Sequence, residues 1–328
     1  MTIDAPSHFP LAGKRIWVAG HRGLVGSAIV RRLARESCSV LAVGRDEVDL
    51  RRQAETEAWI AKVQPDAIVV AAATVGGILA NATRPAEFLY DNLAIEANII
   101  HGAHQAGVQR LLFLGSSCIY PRNAPQPMAE TALLTGPLEE TNQWYSVAKI
   151  AGIKLCQAYR TQYGRDYVSA MPANLYGPGD NFDLRSSHVL PALLVKIIQA
   201  QRTGAQQVEV WGTGAPLREF LYVDDLADGT VFLLEHFDGY DHINIGTGAE
   251  VSIKDLATLI ASVVGYQGQL RFDSSKPDGT PRKVMDHAKI HALGWRARTS
   301  LEDGIRATLA WLEDNPELLE PTPAQEGS

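Results

Sequence analysis

Tyr145 and Lys149 stand one helical turn apart in Trp144-Tyr-Ser-Val-Ala-Lys149, and Ser116 lies upstream in Gly115-Ser-Ser-Cys-Ile-Tyr120. On a helix, positions i and i+4 share a face, so the Lys149 ammonium can approach the Tyr145 hydroxyl. A free phenol titrates near ~10, too high to exchange protons readily at neutral pH. A neighbouring cation favours the phenolate and is expected to lower that value. Ser116, at a strand end, would hold a substrate oxygen against the phenol. The three together suit proton transfer to or from a carbonyl oxygen. An exposed helical tyrosine beside an unrelated lysine is the plain alternative, and the rest of the chain decides between the two.

The elements that must position these groups alternate along the first two-thirds of the chain. Short apolar, β-branched runs at Arg15–Ala19, Ser39–Val43, Gln64–Val70, Arg110–Leu114 and Asp166–Met171 read as strands. Amphipathic stretches at Val25–Glu36, Pro85–Gln105 and Gln143–Tyr163 read as helices between them. This alternation predicts an α/β fold, a Rossmann-type doubly wound parallel sheet. After Pro172 the pattern loosens. A helix is expected over His188–Gln201, a strand over Val208–Trp211 and a helix over Asp224–His236. His242–Gly246 reads as a strand returning to the first sheet, and Ser252 as the cap of a helix running to Gly265.

Gly20-His-Arg-Gly-Leu-Val-Gly26 follows the first strand and opens the first helix. Glycines there let backbone approach a pyrophosphate, which rests on the positive helix N-terminus. Gly20, Arg22, Gly23, Leu24, Val25 and Gly26 are therefore the expected dinucleotide cradle. The second strand ends Ala42-Val-Gly-Arg45, without the acid that would accept a ribose 2′-hydroxyl. Arg22 and Arg45 suit a 2′-phosphate instead, which favours NADPH/NADP+ over NAD. Arg45 has a plainer reading as an ion-pair partner of Asp46, Glu47 or Asp49. Asp49 and Leu50 are placed to face the adenine edge.

The 328 residues, 46% of them hydrophobic, are enough for one large α/β unit or two domains sharing a cleft. The net charge of −7 and the lack of a basic run exclude a nucleic-acid stripe. Cys38, Cys118 and Cys156 are an odd, scattered set, fitting a reducing compartment and no CxxC metal site. No apolar stretch reaches ~18 residues, so no membrane span is expected. A soluble cytoplasmic protein without a metal is the expectation.

With the glycine turn, Ser116 and the Tyr145/Lys149 pair in register, the chain resembles the extended short-chain dehydrogenase/reductases. Ala71-Ala-Ala-Thr-Val-Gly-Gly-Ile78, Leu114-Gly-Ser-Ser-Cys-Ile-Tyr-Pro121, Pro172-Ala-Asn-Leu-Tyr-Gly-Pro178, Ser187-His-Val-Leu-Pro-Ala192, Arg218-Glu-Phe-Leu221 and Lys276-Pro-Asp-Gly-Thr-Pro-Arg-Lys283 resemble the GDP-L-fucose synthase family among them. The likeness runs from about residue 13 to 315. It implies an NADPH-dependent enzyme that epimerises C3 and C5 of a GDP-4-keto-6-deoxy sugar and then reduces its C4 ketone. By resemblance Cys118 removes a proton and His188 returns one, while Ser116 and Tyr145 hold the ketone oxygen. Tyr145 then donates its proton during reduction, with Lys149 beside it. Ala72, Ala73, Pro172, Asn174, Leu175 and His188 join the cofactor set on the same ground. Lys196, Arg218, Lys283 and Arg282 would meet the substrate diphosphate, Trp211 its base, Asp278 its hydroxyls and Asn174 the ketosugar.

The resemblance also implies a homodimer, through Pro85–Gln105 and Gln143–Tyr163. A cofactor-binding domain over 12–175, with a return segment at about 220–248, is expected to face a smaller α/β substrate-binding domain. That domain is assigned 176–219 and 249–318, with 319–328 a disordered tail. Relatives acting on GDP-linked dideoxyhexoses or 6-deoxyheptoses remain open. So do an NAD-retaining sugar-nucleotide 4-epimerase or dehydratase, and a non-enzymatic NADP(H) sensor.

Overall fold

A computed structural model describes residues 7–276 and 278–320. Strands and helices alternate as β1 (Arg15–Ala19), α1 (Leu24–Leu33), β2 (Ser39–Leu41), α2 (Gln53–Val63), β3 (Ala67–Val70), α3 (Ile78–Thr83), α4 (Pro85–Gln105), β4 (Arg110–Leu114), α5 (Gln143–Tyr163) and β5 (Asp166–Pro172). There follow β6 (Asn174–Tyr176), α6 (Val189–Thr203), β7 (Gln207–Trp211), β8 (Leu217–Tyr222), α7 (Val223–His236) and β9 (Ile243–Ile245). The chain continues through β10 (Glu250–Ser252), α8 (Ile253–Val264), β11 (Gln269–Asp273), β12 (Arg282–Lys283), α9 (Ala288–Ala292) and α10 (Leu301–Glu313).

The main sheet has the order β2-β1-β3-β4-β5-β9, every neighbour parallel. Every residue of β3 and β4 is buried, as strands covered by helices on both faces require. From β1 the chain leaves toward β2 and returns on the other side to β3. Strand order therefore reverses at β1, and the crevice at the carboxyl ends of β1 and β3 is where such sheets receive ligands. The expected return strand is present, with Ala170, Met171 and Pro172 of β5 in register with Ile243, Asn244 and Ile245.

Arg110, at the start of β4, is wholly buried. Its Nε donates to the Leu234 carbonyl at 3.0 Å, and its Nη2 to the carbonyls of Leu233 at 2.9 Å and Phe237. Its Nη1 reaches Asp166 at the start of β5. One guanidinium thus meets three carbonyls at the end of α7 and ties that helix to two strands.

A second apolar cluster joins Leu194 and Ile197 of α6, Val208 of β7, Leu256 and Ile260 of α8 and Ile305 of α10. Around it β7 pairs β11, while β8 pairs β6, β10 and β12. Ser252 caps α8, its Oγ accepting the Asp255 N–H at 3.0 Å. Two readings need correction. Helix α6 begins at Val189, so His188 is its N-cap in extended backbone rather than its first helical residue. Leu319 is not part of a disordered tail. It is buried in the second cluster, and its carbonyl accepts the Gln199 amide at 2.8 Å. The remainder of the expected tail, 321–328, lies outside the described residues.

Candidate active site

The glycine turn lies in the β1–β3 crevice. Gly20 has φ +87°, and a Cβ there would sit 2.7 Å from the Ala72 backbone. At Gly26 a Cβ would collide with the Gly20 carbonyl. No larger residue fits either place, so the turn packs its backbone closely on itself and on Ala71 and Ala72. Gly23 caps α1 without any side-chain hydrogen bond, and the first turn carries no acid. Its N–H groups are thus available to an anion. Ala71–Ala73 follow β3 across the crevice, and Ala71 N donates to the Ala19 carbonyl at 3.0 Å.

Arg22 pairs with Asp46 at 3.0 Å, both side chains about two-thirds exposed. Asp49 is held down at about 2, first by hydrogen bonds from Arg51 and more weakly by the field of Arg45. Of the three acids suspected for Arg45, Asp49 is claimed by Arg51 at 2.7 Å and Asp46 by Arg22, and Arg45 stays exposed. Leu50 turns its carbonyl to Asn98, at 3.0 Å.

Beyond β4, Ser116 caps a short turn, its Oγ accepting the Cys118 N–H at 3.3 Å. Tyr145, in the first turn of α5, turns its hydroxyl toward Ser116. Burial pushes the phenol well above its ordinary value, helped by Cys118 and Glu96 and opposed by the Ser116 hydroxyl. The expected effect of Lys149 therefore needs correction. Its Nζ lies 2.8 Å from Glu96 Oε1 of α4, with both side chains 2% exposed. It also lies 4.7 Å from the Phe113 ring centroid and 5.8 Å from that of Tyr145. The ammonium thus faces the Glu96 carboxyl more closely than the phenol ring.

The Cys118 sulfur receives two donors, Lys283 Nζ and Asn142 Nδ2, each at 3.3 Å. Ser146 Oγ donates to the Cys118 carbonyl at 2.9 Å and fixes the turn against α5. Lys283 reaches the sulfur because β12 pairs β8 with Lys283 opposite Arg218. Val284 N and O are also held by Gln126 and Met128, on the loop after Cys118. Lys283 thus faces Cys118 rather than standing free for a diphosphate.

His188 is solvent-accessible, but crowding of the imidazole by protein lowers its pKa, and the Lys283 ammonium acts the same way. Lys283 is the group that relates His188 to Cys118. Asn174, at the end of the β5–β6 corner after Pro172, donates its amide to the Glu219 carbonyl at 2.7 Å, with Leu175 half-buried beside it.

Trp211 is 61% exposed, and Lys196 and Lys276 lie 5.4 and 5.6 Å from its ring centroid. Lys276 was absent from the expected set, and only the tertiary contact reveals it. Burial lowers Arg218, which faces Asp278. Both Asp278 carboxylate oxygens are taken by Thr213, at 2.7 and 2.8 Å, so Asp278 serves that loop. Arg282 points elsewhere. It forks onto Glu250 at 2.8 and 2.9 Å and lines a separate cavity with His287 and Asp286.

Three comparisons bear on this arrangement. The pattern of the NAD dependent epimerase/dehydratase family matches residues 16–246. A GDP-L-fucose synthase of Sinorhizobium fredii is 58% identical over 295 residues, 90% of this chain and 94% of that protein. GDP-L-fucose synthase 1 of Arabidopsis thaliana is 56% identical, over 92% and 94%. The crystal structure of a GDP-L-fucose synthetase from Naegleria fowleri bound to NADP superposes with a TM-score of 0.87 at 29% identity. It covers 96% of this chain and 98% of that one.

Proposed function

From a chain that belongs to the NAD dependent epimerase/dehydratase family, and within it to the GDP-L-fucose synthases, we infer one oxygen-binding site that serves two chemistries. The protein is an NADPH-dependent epimerase and reductase that converts GDP-4-keto-6-deoxy-D-mannose to GDP-L-fucose. The observation that carries this reading is the meeting of the Ser116–Tyr145 hydroxyl pair with a sulfur that faces Lys283.

The cofactor's pyrophosphate would rest on the turn at Gly20, Gly23, Leu24, Val25 and Gly26, where the first N–H groups of α1 carry no side-chain cap and close backbone packing requires glycine at 20 and 26. Arg22 and Arg45, exposed at its far end, would take the 2′-phosphate. Releasing Arg22 from an exposed pair costs only about 0–1 kcal/mol. When bound, NADPH supplies the hydride for C4. The chain's own residues do the rest. Ser116 and Tyr145 hold the ketone oxygen and stabilise the enolate formed when a neighbouring C–H is broken. Cys118 takes that proton, with Lys283 beside the sulfur to accompany its charge. His188 returns a proton to the opposite face. Tyr145, kept protonated by burial, is the donor to the C4 oxygen in the reductive step.

Lys196 and Lys276 around Trp211, with Arg218 by Asp278, form the cationic side for the nucleotide diphosphate, and the exposed indole suits stacking by its base. The second apolar cluster supports treating 176–219 and 249–318 as the substrate-binding portion. Exposed Tyr90 on α4 and Trp144, Val147 and Tyr163 on α5 support a homodimer through those helices. Three unpaired cysteines fit a cytoplasmic setting, and no helix among the described residues is long and apolar enough to cross a membrane. The decisive experiment incubates the protein with GDP-4-keto-6-deoxymannose and NADPH and identifies the product sugar by NMR. GDP-L-fucose with stoichiometric NADPH loss supports the reading. Epimerisation without cofactor loss, or no turnover, overturns it.

A further inference from the structure

Glu96 stands in the apolar layer between α4 and α5, where burial raises its carboxyl, an uncompensated charge would cost several kcal/mol, and the Lys149 ammonium is what favours the ionised form. Its neighbours are arranged to admit it. Gly152 of α5 faces it, and a Cβ there would press to 2.8 Å from Glu96 Oε2 and against the Phe113 ring. Glycine inside a helix costs about 1 kcal/mol relative to alanine, so α5 gives up stability at a point where the Phe113 ring and Glu96 both need room. Oε1 then meets the Lys149 ammonium at 2.8 Å, while Phe113 covers the ammonium at 4.7 Å from its centroid. Replacing both charges by apolar groups would typically leave such a layer as stable or more so. The pair therefore calls for a reason other than stability.

Tyr145 supplies one. An isolated ammonium one turn away would favour the phenolate, which cannot give a proton to a ketone oxygen. A carboxylate on that ammonium turns a point charge into a dipole, whose field at the phenol is far weaker. We propose that Glu96 is a positioning residue that holds Lys149 and offsets its charge, so that the resting enzyme carries Tyr145 as a loaded proton donor. This rests on the reading of Tyr145 as the donor in reduction. The raised phenol, to which Glu96 itself contributes, agrees with it. The other groups facing the pair are Ser116 and Cys118 from the turn after β4, and Lys283 of β12 against the Cys118 sulfur. Cys156 on the same helix is buried, and its thiol is pushed up to about 12.

The test titrates the cofactor-free protein and follows tyrosinate absorbance. Subtracting the matching curve of a Tyr145→Phe background isolates this phenol. Glu96→Gln should lower the Tyr145 midpoint by about one to three pH units, the effect of an unmasked neighbouring cation. The alkaline fall of the reduction rate should move down with it. Glu96→Asp, which keeps the charge, should restore both. A Glu96→Gln protein that is less stable or slower at every pH, with both midpoints in place, would show a merely structural role and overturn the proposal. If Glu96→Gln does not fold, the double variant Glu96→Gln/Lys149→Met removes both charges and should leave the Tyr145 midpoint near its original position. A displacement of a unit or more in that protein also overturns it. Should the midpoints move as stated while Tyr145→Phe retains reduction, the charge-setting role stands and the donor reading falls.

Discussion

Tyr145→Phe separates the two chemistries. The substitution keeps the ring in the first turn of α5 and removes only the hydroxyl. Ser116 does not depend on that hydroxyl for its place, because its Oγ is also anchored by the Cys118 N–H at 3.3 Å. In the proposed mechanism, proton exchange next to the ketone uses Tyr145 for one hydrogen bond to the developing enolate, with Ser116 still donating, and reduction uses the same bond and, in addition, the proton. Losing the shared bond lowers both rates by roughly 10²–10³, and this factor cancels when the two are compared. What remains is the contribution of a positioned general acid, about 10²–10⁴, or ~2.7–5.5 kcal/mol at ~1.36 kcal/mol per tenfold. Reduction should therefore fall further than epimerisation by that factor. Exchange is read by deuterium uptake at C3 and C5 in heavy water, using mass spectrometry. Reduction is read by loss of the reduced nicotinamide absorbance. Equal losses in the two assays would refute the division of labour at this oxygen.

Cys118→Ser should abolish deuterium uptake at both carbons while NADPH still binds, as followed by cofactor fluorescence; uptake at the original rate would remove Cys118 from the mechanism. Arg45→Ala should weaken NADPH more than NADH in direct binding, and an equal loss for both would deny Arg45 a phosphate. Arg110→Met takes the guanidinium from the Leu234 and Phe237 carbonyls, although Leu233 keeps the Phe237 N–H at 3.1 Å and Asp166 keeps Arg160 at 3.0 Å. Breaking such a buried network costs about 3–5 kcal/mol, which lowers Tm by roughly 6–20 °C for a chain of this size. A calorimetric Tm within a degree or two of the original would show that the guanidinium contributes packing alone.

The frame of the molecule was legible wherever one element's own pattern decided it. Helix α4 opens with Pro85 at its first position and repeats apolar residues at helical spacing, and both its ends fall where the sequence puts them. Strands β1 and β4 are uninterrupted apolar runs after a leading arginine, and they too are found as read. Strands β8 and β12 were not read. Leu217-Arg-Glu-Phe-Leu-Tyr222 mixes charge with apolar residues, and a two-residue strand carries no periodicity. The site divides along the same line. Ser116, Cys118 and Tyr145 are brought together by adjacent elements, the β4 end and α5. Lys149 was visible as a residue but not as a charge, because Glu96 comes from a different helix and looks like any polar position of α4. Asn142 on the sulfur was equally hidden. Lys283 and Arg282 are neighbours in sequence yet serve opposite sides of the strand, since successive residues of a strand alternate faces.

Tyr222 ends β8 and Val223 begins α7 with no residue between them. The strand bearing Arg218 and the helix gripped by Arg110 are one unbroken length of backbone. A fragment stopping after Pro172 would lack both that helix and the sixth strand, leaving the β5 edge bare and the Arg110 guanidinium with no carbonyls to meet. During synthesis the first sheet is complete only once Ile245 has been added. The main sheet therefore closes only when some three-quarters of the length has been made.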